Sequence, residues 1–464
     1  MSITISKRFR AIILAFVMLC IALPLQAKVT KEEADKLKNE LTPYGAERAG
    51  NADGSIPAWG GGLTTIPESV KGWDPATTGG RFPDPFADEK PLYSVSAANA
   101  DQYADKISPG TLAMLKKYPE SYRLDVYPTR RTFAVPQWVY DATYENAIKA
   151  ELTQKGDNFG VQNAIIGVPF PIPKEGPEVI FNYFASYVGG DRTQEQLSGI
   201  IRSDGRFSVG GESTVKIKYP YHDKDVTPET FNGYITMFLL SMNDPPGRKG
   251  EILVVNGPLD FTNTERGTWQ YLPGQRRVRR APNIAYDTPN PTFGGYVTYD
   301  DAYGFNGELD YFDWKLVGKQ EMIVPYNIYK QEMAKREDLL TPHHLNPDYV
   351  RWELHRVWVV EATLKEGKRH IYSKRRMYFD EDSWQILIHD KWDTRGNLWR
   401  SHLCEGLQAY TVPAYMWRVY AMYDLQSEEY SWNGINGLEG TTLKFENLDV
   451  KDFTPDSIRK MGRR

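Results

Sequence analysis

"LHRVWVVEATLKEGKRHIYSKRRMYFDEDSWQILIHDKWD", residues 354–393, sets three amphipathic runs one behind another. In the first, Leu354, Trp358, Val360, Ala362 and Leu364 occupy even positions, interrupted by Arg356, while His355, Glu361 and Thr363 are odd. Successive side chains of a strand point to opposite faces, so this period of two reads as a β-strand with one apolar side. In 370–379 the apolar set is Ile371, Met377 and Phe379, with His370, Lys374 and Arg376 facing the other way. Trp384, Ile386 and Ile388 continue the apolar face past "DEDSW" (380–384). That acidic stretch reads as a turn, because Asp and Ser suit turn geometry. It lacks the alternating ligand spacing of a calcium loop.

Working outward, similar short runs separated by Gly, Pro or Asn begin near residue 205, among them "STVKIKYPY", "GYITMFLLSM", "GEILVVNGPLDF", "GTWQYLP" and "RRVRRA". An Asp/Tyr/Gly-rich loop at 286–310 separates these from the later strands. Hairpin succession without crossover helices predicts roughly eleven strands in a strongly curved antiparallel sheet. The run 234–242 is apolar on both faces and predicts packing on each side. Upstream, "TKEEADKLKNEL" (30–41) reads as a helix with Thr30 as N-cap and Glu33 three residues on. Residues 42–92 are rich in Pro and Gly and read as an extended arm; helical pattern returns at 97–118 and 139–153. "GVPFPIPKEGPEVIFNYFASYVGG" (167–190) reads as a Pro-locked loop running into an aromatic helix. The expected class is α+β: a large curved antiparallel sheet, an incomplete barrel, covered by helices. The expected division is a signal peptide (1–27), an N-terminal helix and extended arm (28–95), a helical cover (96–204) and a β half-barrel with a C-terminal tail (205–464). Residues 28–464 would form one domain.

The leader carries Lys7, Arg8 and Arg10, then the apolar "AIILAFVMLCIAL" (11–23) and a small residue at Ala27. This is the layout of a secretory signal, too short for a membrane span. Leu19 before Cys20 is too bulky for a lipidation site. Removing three positive charges and no acid moves the formal charge from −4 to about −7 and leaves Cys404 as the sole cysteine. The mature chain thus has no intrachain disulfide framework and relies on a large core. Aromatic content of 13%, with 30 Pro and 38 Gly, favours many short strands and turns over a helical bundle.

Chemical motifs are sparse. The basic "RRVRR" (276–280) divides its arginines between two faces of one strand in a net-acidic chain, which argues for pairing or partner contact over nucleic acid. His343, His344, His355, His370, His389 and His402 lack metal-ligand spacing. There is no G-x-S-x-G elbow, H-E-x-x-H, phosphate-binding loop or dinucleotide fingerprint. No catalytic residue, cofactor or metal is expected.

"LTPYGAERAGNADGSIPAW" (41–59), "GVPFPIP" (167–173), "WQYLPGQRRVRRAP" (269–282), "LVGKQEMIVPYN" (316–327) and "RHIYSKRRMYFDEDSW" (369–384) are similar to a proteobacterial family, domain of unknown function 1329. The resemblance runs from about residue 40 to the C-terminus. It implies a relation in fold to the lipoprotein carriers LolA and LolB, with helices over a greasy interior. It also implies association with a resistance-nodulation-division (MMPL-type) exporter and an outer-membrane protein. The resulting expectation is a periplasmic carrier or adaptor for a hydrophobic, lipid-like ligand, soluble or peripherally associated with the outer membrane. Its rivals are a solid accessory subunit and an enzyme acting on lipid or glycan. The expected cavity lining is Trp269, Tyr271, Trp358, Val360, Met377, Phe379, Trp384, Ile386 and Trp417, with Arg277 and Arg279 at the rim for a headgroup or partner. Cleavage after Ala27 predicts a mature chain that begins at Lys28; N-terminal sequencing of exported protein checks this.

Overall fold

Period-two runs become strands where a neighbour offers a matching ladder, and here the ladders join into one sheet. A computed structural model describes residues 29–281, 286–435 and 443–462; the expected signal segment lies outside them. The strands are β1 (Tyr93–Val95), β2 (Leu124–Tyr127), the separate hairpin β3 (Glu151–Lys155) and β4 (Asn158–Gln162), β5 (Arg192–Ile201) and β6 (Phe207–Lys218). They continue as β7 (Tyr234–Asp244), β8 (Ile252–Pro258), β9 (Gly267–Leu272), β10 (Arg277–Arg280), β11 (Phe312–Pro325) and β12 (Trp352–Leu364). The last are β13 (Tyr372–Asp380), β14 (Ile386–Asp393), β15 (Leu398–Ala409), β16 (Ala414–Asp424), β17 (Glu429–Ile435) and β18 (Leu443–Phe445). Sixteen described strands share one sheet in the order β1-β2-β12-β13-β14-β15-β16-β17-β5-β6-β7-β8-β9-β10, with β11 on β12 and β18 on β5.

Two features differ from the sequence reading. The sheet recruits β1, β2 and β5 from upstream of residue 205. One pairing is parallel, β2 with β12 (Trp352 opposite Val126). These strands lie far apart in the chain, so no hairpin dictates their direction.

The helices are α1 (Lys31–Ala34), α2 (Pro109–Lys117), α3 (Gln137–Lys149), α4 (Gly176–Phe184), α5 (Tyr329–Met333), α6 (Arg336–Leu339) and α7 (Pro455–Met461). Thr30 and Glu33 close the expected capping box on α1, which runs on as a 3₁₀ turn to Lys38. None of the described helices is long and apolar enough to cross a membrane.

The sheet is open and strongly bent. Neighbouring strands lie ~4.8 Å apart, so a flat sheet would hold β7 and β16, four steps apart, roughly 19 Å from each other. Yet Phe238 of β7 and Trp417 of β16 both touch the ring of Tyr303, at centroid distances of 5.7 and 4.5 Å. Bulges at Ser198/Gly199 and Glu212/Ser213 supply local twist between these strands. The inner face is the one turned toward Tyr303.

Packing covers both faces. On the outer side of β14 and β15, α2 brings the Gly110 amide to Asp390 at 2.8 Å. On the outer side of β7 to β9, Met237, Leu239, Val254 and Tyr271 pack against Phe453 and Ile458 from the C-terminal segment. The packing expected on each side of 234–242 is met on this outer side, while Phe238 and Leu240 on the inner side stay partly accessible. On the inner side, α4 and the loop 286–311 fill much of the hollow. Gly304 in that loop approaches the sheet so closely that a Cβ there would sit 3.2 Å from Cys404 Sγ, and its φ of +88° suits glycine alone among common residues.

One buried acid in this core titrates upward. Glu405 on β15 accepts a 2.8 Å hydrogen bond from Gln331, but its second oxygen has no partner among the described residues. Burial pushes its carboxyl up to about 8, against the opposing hydrogen bond from Gln331. The folded state therefore holds a proton that the unfolded state releases between about pH 4.5 and 8, and stability from this group falls as pH rises through that window. Glu405→Gln should be nearly neutral at pH 5 and more stable than wild type at pH 8.5; thermal unfolding at the two pH values measures the difference.

Candidate functional site

The loop 286–311 enters the half-barrel because its acids find buried cations there. A capping box at Thr298 and Asp301 winds Tyr299–Asp301 into a 3₁₀ turn that presents Asp300 and Asp301 side by side. Arg375 on β13 donates to both carboxylates, reaching Asp301 at 3.1 Å. Lys391 on β14 lies 3.4 Å from Asp301, the Tyr372 hydroxyl donates to Asp301 at 2.9 Å, and His370 Nε2 lies 3.0 Å from Asp300. All are nearly inaccessible. Burial opposes ionisation of Asp301, but Lys391 and Arg375 outweigh it and hold the carboxyl well below its ordinary range. Burial lowers Lys391 to about 8, partly offset by Asp301. His389 and His402 are kept neutral by burial and by Lys391. This cluster pins the loop, whose next residues carry Tyr303 into the hollow with a left-handed φ of 59°. The Tyr183 hydroxyl of α4 donates to the Tyr303 carbonyl from the other side.

Beyond Tyr303 the hollow is not filled. A cavity of about 180 Å³ remains between the inner face of β5 to β8, the loop, the end of α4 and β16. Its floor is Ile217, Phe238, Leu240, Leu253 and Val255; Phe293, Tyr303 and Phe305 of the loop, with Trp417 and Tyr420, form the opposite wall. The burial pattern of β7 and β8 is the inverse of a packed core. Inner-facing Phe238, Leu240, Leu253 and Val255 stay partly accessible, whereas outer-facing Leu239 and Val254 are 2% and 0% exposed. Arg192 and Arg266 also line the cavity, together with amides and hydroxyls such as Gln196, Asn290 and Thr236.

Of the residues expected to line an interior, Trp417 does so. Trp358, Val360, Met377, Phe379, Trp384 and Ile386 lie together in the main core under α4, the loop and Tyr44 of the arm. Trp384 stacks on Trp358 at 6.1 Å and donates to the Tyr44 carbonyl. Trp269 and Tyr271 lie with Val254 on the outer face, where the Tyr271 hydroxyl donates to Gly462. Arg277 and Arg279 are exposed on β10, at the sheet edge, outside the cavity lining; Arg280 pairs with Glu265 at 2.7 Å. Sequence reasoning missed Arg192, Arg266, Phe238 and Tyr303. The two-faced run 234–242 pointed to Phe238, while no pattern marks the others.

The DEDSW turn forms as expected but is buried, with Asp382 gripped by Arg131 and Ser383 donating to Asp380. His355, Asp380 and Asp382 bring ligand-type atoms within 4.8 Å of one another. His355 is also engaged by Glu353 at 3.0 Å and Asp382 by Arg131, so the group is part of an interior ion network. A Ser121–His344 contact of 2.9 Å has a backbone carbonyl, Leu345, on the other ring nitrogen and does not face the cavity.

The family described as "Protein of unknown function (DUF1329)" matches residues 94–459. The chain belongs to this family. It is 39% identical over 447 residues to an uncharacterized protein of Pseudomonas aeruginosa, covering 96% of each chain. Among solved structures it is similar to a DUF1329 family protein from Desulfovibrio piger (13% identity, 61% of this chain and 97% of that one, TM-score 0.42). It is also similar to a putative outer membrane lipoprotein-sorting protein domain from Vibrio parahaemolyticus (16% identity, 61% and 98%, TM-score 0.42).

If the acidic pair anchors the loop, Asp301→Asn leaves Arg375 and Lys391 underpaired in the core and should cost about 3–5 kcal/mol. Urea unfolding measures that loss, and faster amide exchange over 298–305 should accompany it.

Proposed function

We propose that the protein is a periplasmic carrier or adaptor for a hydrophobic, lipid-like ligand held in the cavity beside Tyr303. The observation that carries this reading is the inverted burial of β7 and β8, whose inner apolar side chains are left partly accessible while their outer neighbours are packed. A solid accessory subunit would bury both sets alike. An apolar void of this kind is a ready site, since a cavity of about 150 Å³ lined by aliphatic and aromatic groups takes up benzene. An acyl chain burying about 300 Å² would gain roughly 7 kcal/mol before association costs, enough for useful affinity without catalytic apparatus. Periplasmic residence is supported by the leader-like segment 1–27. Service to an RND/MMPL-type exporter and an outer-membrane protein rests on the family resemblance. Arg277 and Arg279, exposed on the edge strand, suit contact with such a partner.

Native mass spectrometry of protein purified without detergent tests the carrier. A bound apolar adduct is expected in wild type and should vanish in Leu240→Trp, which fills the cavity from its floor while thermal stability stays close to wild type. Wild-type protein that is repeatedly empty, and takes up no added amphiphile, would overturn the reading.

A further inference from the structure

The charge inventory of the cavity is one-sided. Arg192 and Arg266 line it, and among the described residues no aspartate or glutamate does. Elsewhere buried arginines are matched: Arg131 with Asp382, Arg351 with Glu353, Arg375 with Asp300 and Asp301, Arg400 with Asp424 and Arg418 with Glu332. The cavity pair is held by neutral groups instead. Arg192 donates to Gln194 at 3.0 Å and to the Val188 carbonyl at 3.1 Å, and lies over the Tyr219 ring. Arg266 donates to the Asn306 carbonyl, while its Nε is buried with no partner among the described residues. Glu308 and Asp300 act on Arg266 from beyond ion-pair distance. A guanidinium beside apolar walls without a direct ion-pair partner is costly, and a carboxylate or phosphate is the group that satisfies its planar donors best.

The register orients such a ligand. Arg192, Ile217, Phe238, Val255 and Thr268 stand opposite one another in sequence across β5 to β9, and Arg266 precedes Thr268 by two residues. The arginines therefore flank an apolar floor, one at each side. We infer that the cavity selects a single-chain amphiphile with an anionic headgroup, the chain lying over Phe238 and Val255 and the headgroup meeting Arg266. At about 180 Å³ the cavity holds one chain rather than the several of a lipoprotein anchor. This inference rests on the carrier reading and adds the ligand's class to it.

Isothermal titration calorimetry of the full mature chain with decanoate, decyl phosphate, 1-decanol and decyltrimethylammonium, each below its micelle concentration, tests both levels separately. The anionic probes are expected to bind at least about tenfold more tightly than decanol, and the cation more weakly. Decyl phosphate ahead of decanoate supports the inference with a phosphate headgroup, and the reverse order supports it with a carboxylate. Arg266→Gln, verified as folded by circular dichroism, should lose about tenfold for the anions and keep wild-type affinity for decanol. Equal affinity for decanoate and decanol in wild type, or a preference for the cation, overturns the anionic class while leaving the carrier intact. Absence of binding by all four probes overturns the carrier reading itself.

Discussion

The structure turns on a buried exchange of charge between a loop and a sheet. Asp300 and Asp301 enter the hollow of the half-barrel and meet Arg375 and Lys391, which would otherwise stand in the core without counter-ions. Neither side is stable there alone, because taking an ion out of water costs several kcal/mol unless a partner is in place. The pairing commits the loop to the interior, positions Tyr303 between Phe238 and Trp417, and so decides which part of the inner face is solid and which stays open. The cavity is what remains once the loop has been seated.

That arrangement explains which parts of the molecule were legible in the sequence. Strand alternation found the apolar face: Trp358 stands opposite Phe379 and Val360 opposite Met377 in the ladder, on the side where Tyr183 of α4 meets Phe379. Alternation reports only the side to which a residue points, not what lies over it. Part of the cover, over Ile386, comes from Gly304 of the Asp/Tyr/Gly-rich loop, whose composition resembles that of an exposed linker. Its acids are partnered by residues spread over β13 and β14, a match that no local window contains. Trp269 and Tyr271 were misread for a similar reason, since the segment that covers them, Phe453 and Ile458, lies at the far end of the chain.

The arginines teach the same lesson in reverse. The conspicuous "RRVRR" run maps to a short edge strand, where Arg277 and Arg279 face solvent and discourage further strand pairing, a familiar role for edge charges. The isolated Arg192 and Arg266 carry more information, because they sit where charge is hardest to accommodate. Buried arginines elsewhere are ion-paired, so a pair held by neutral groups beside an apolar cavity supports the proposed anionic headgroup.

The central ladder between β17 and β5 has a consequence for biogenesis. Tyr430 stands opposite Ile201, so β5 gains this neighbour only after a strand made much later in the chain. Contacts of such long sequence separation form late and slowly, since chain entropy is spent before they reward it. The wall of the half-barrel therefore cannot be completed by β5 to β10 with their upstream neighbours alone; it needs the strands β11 to β17 that follow.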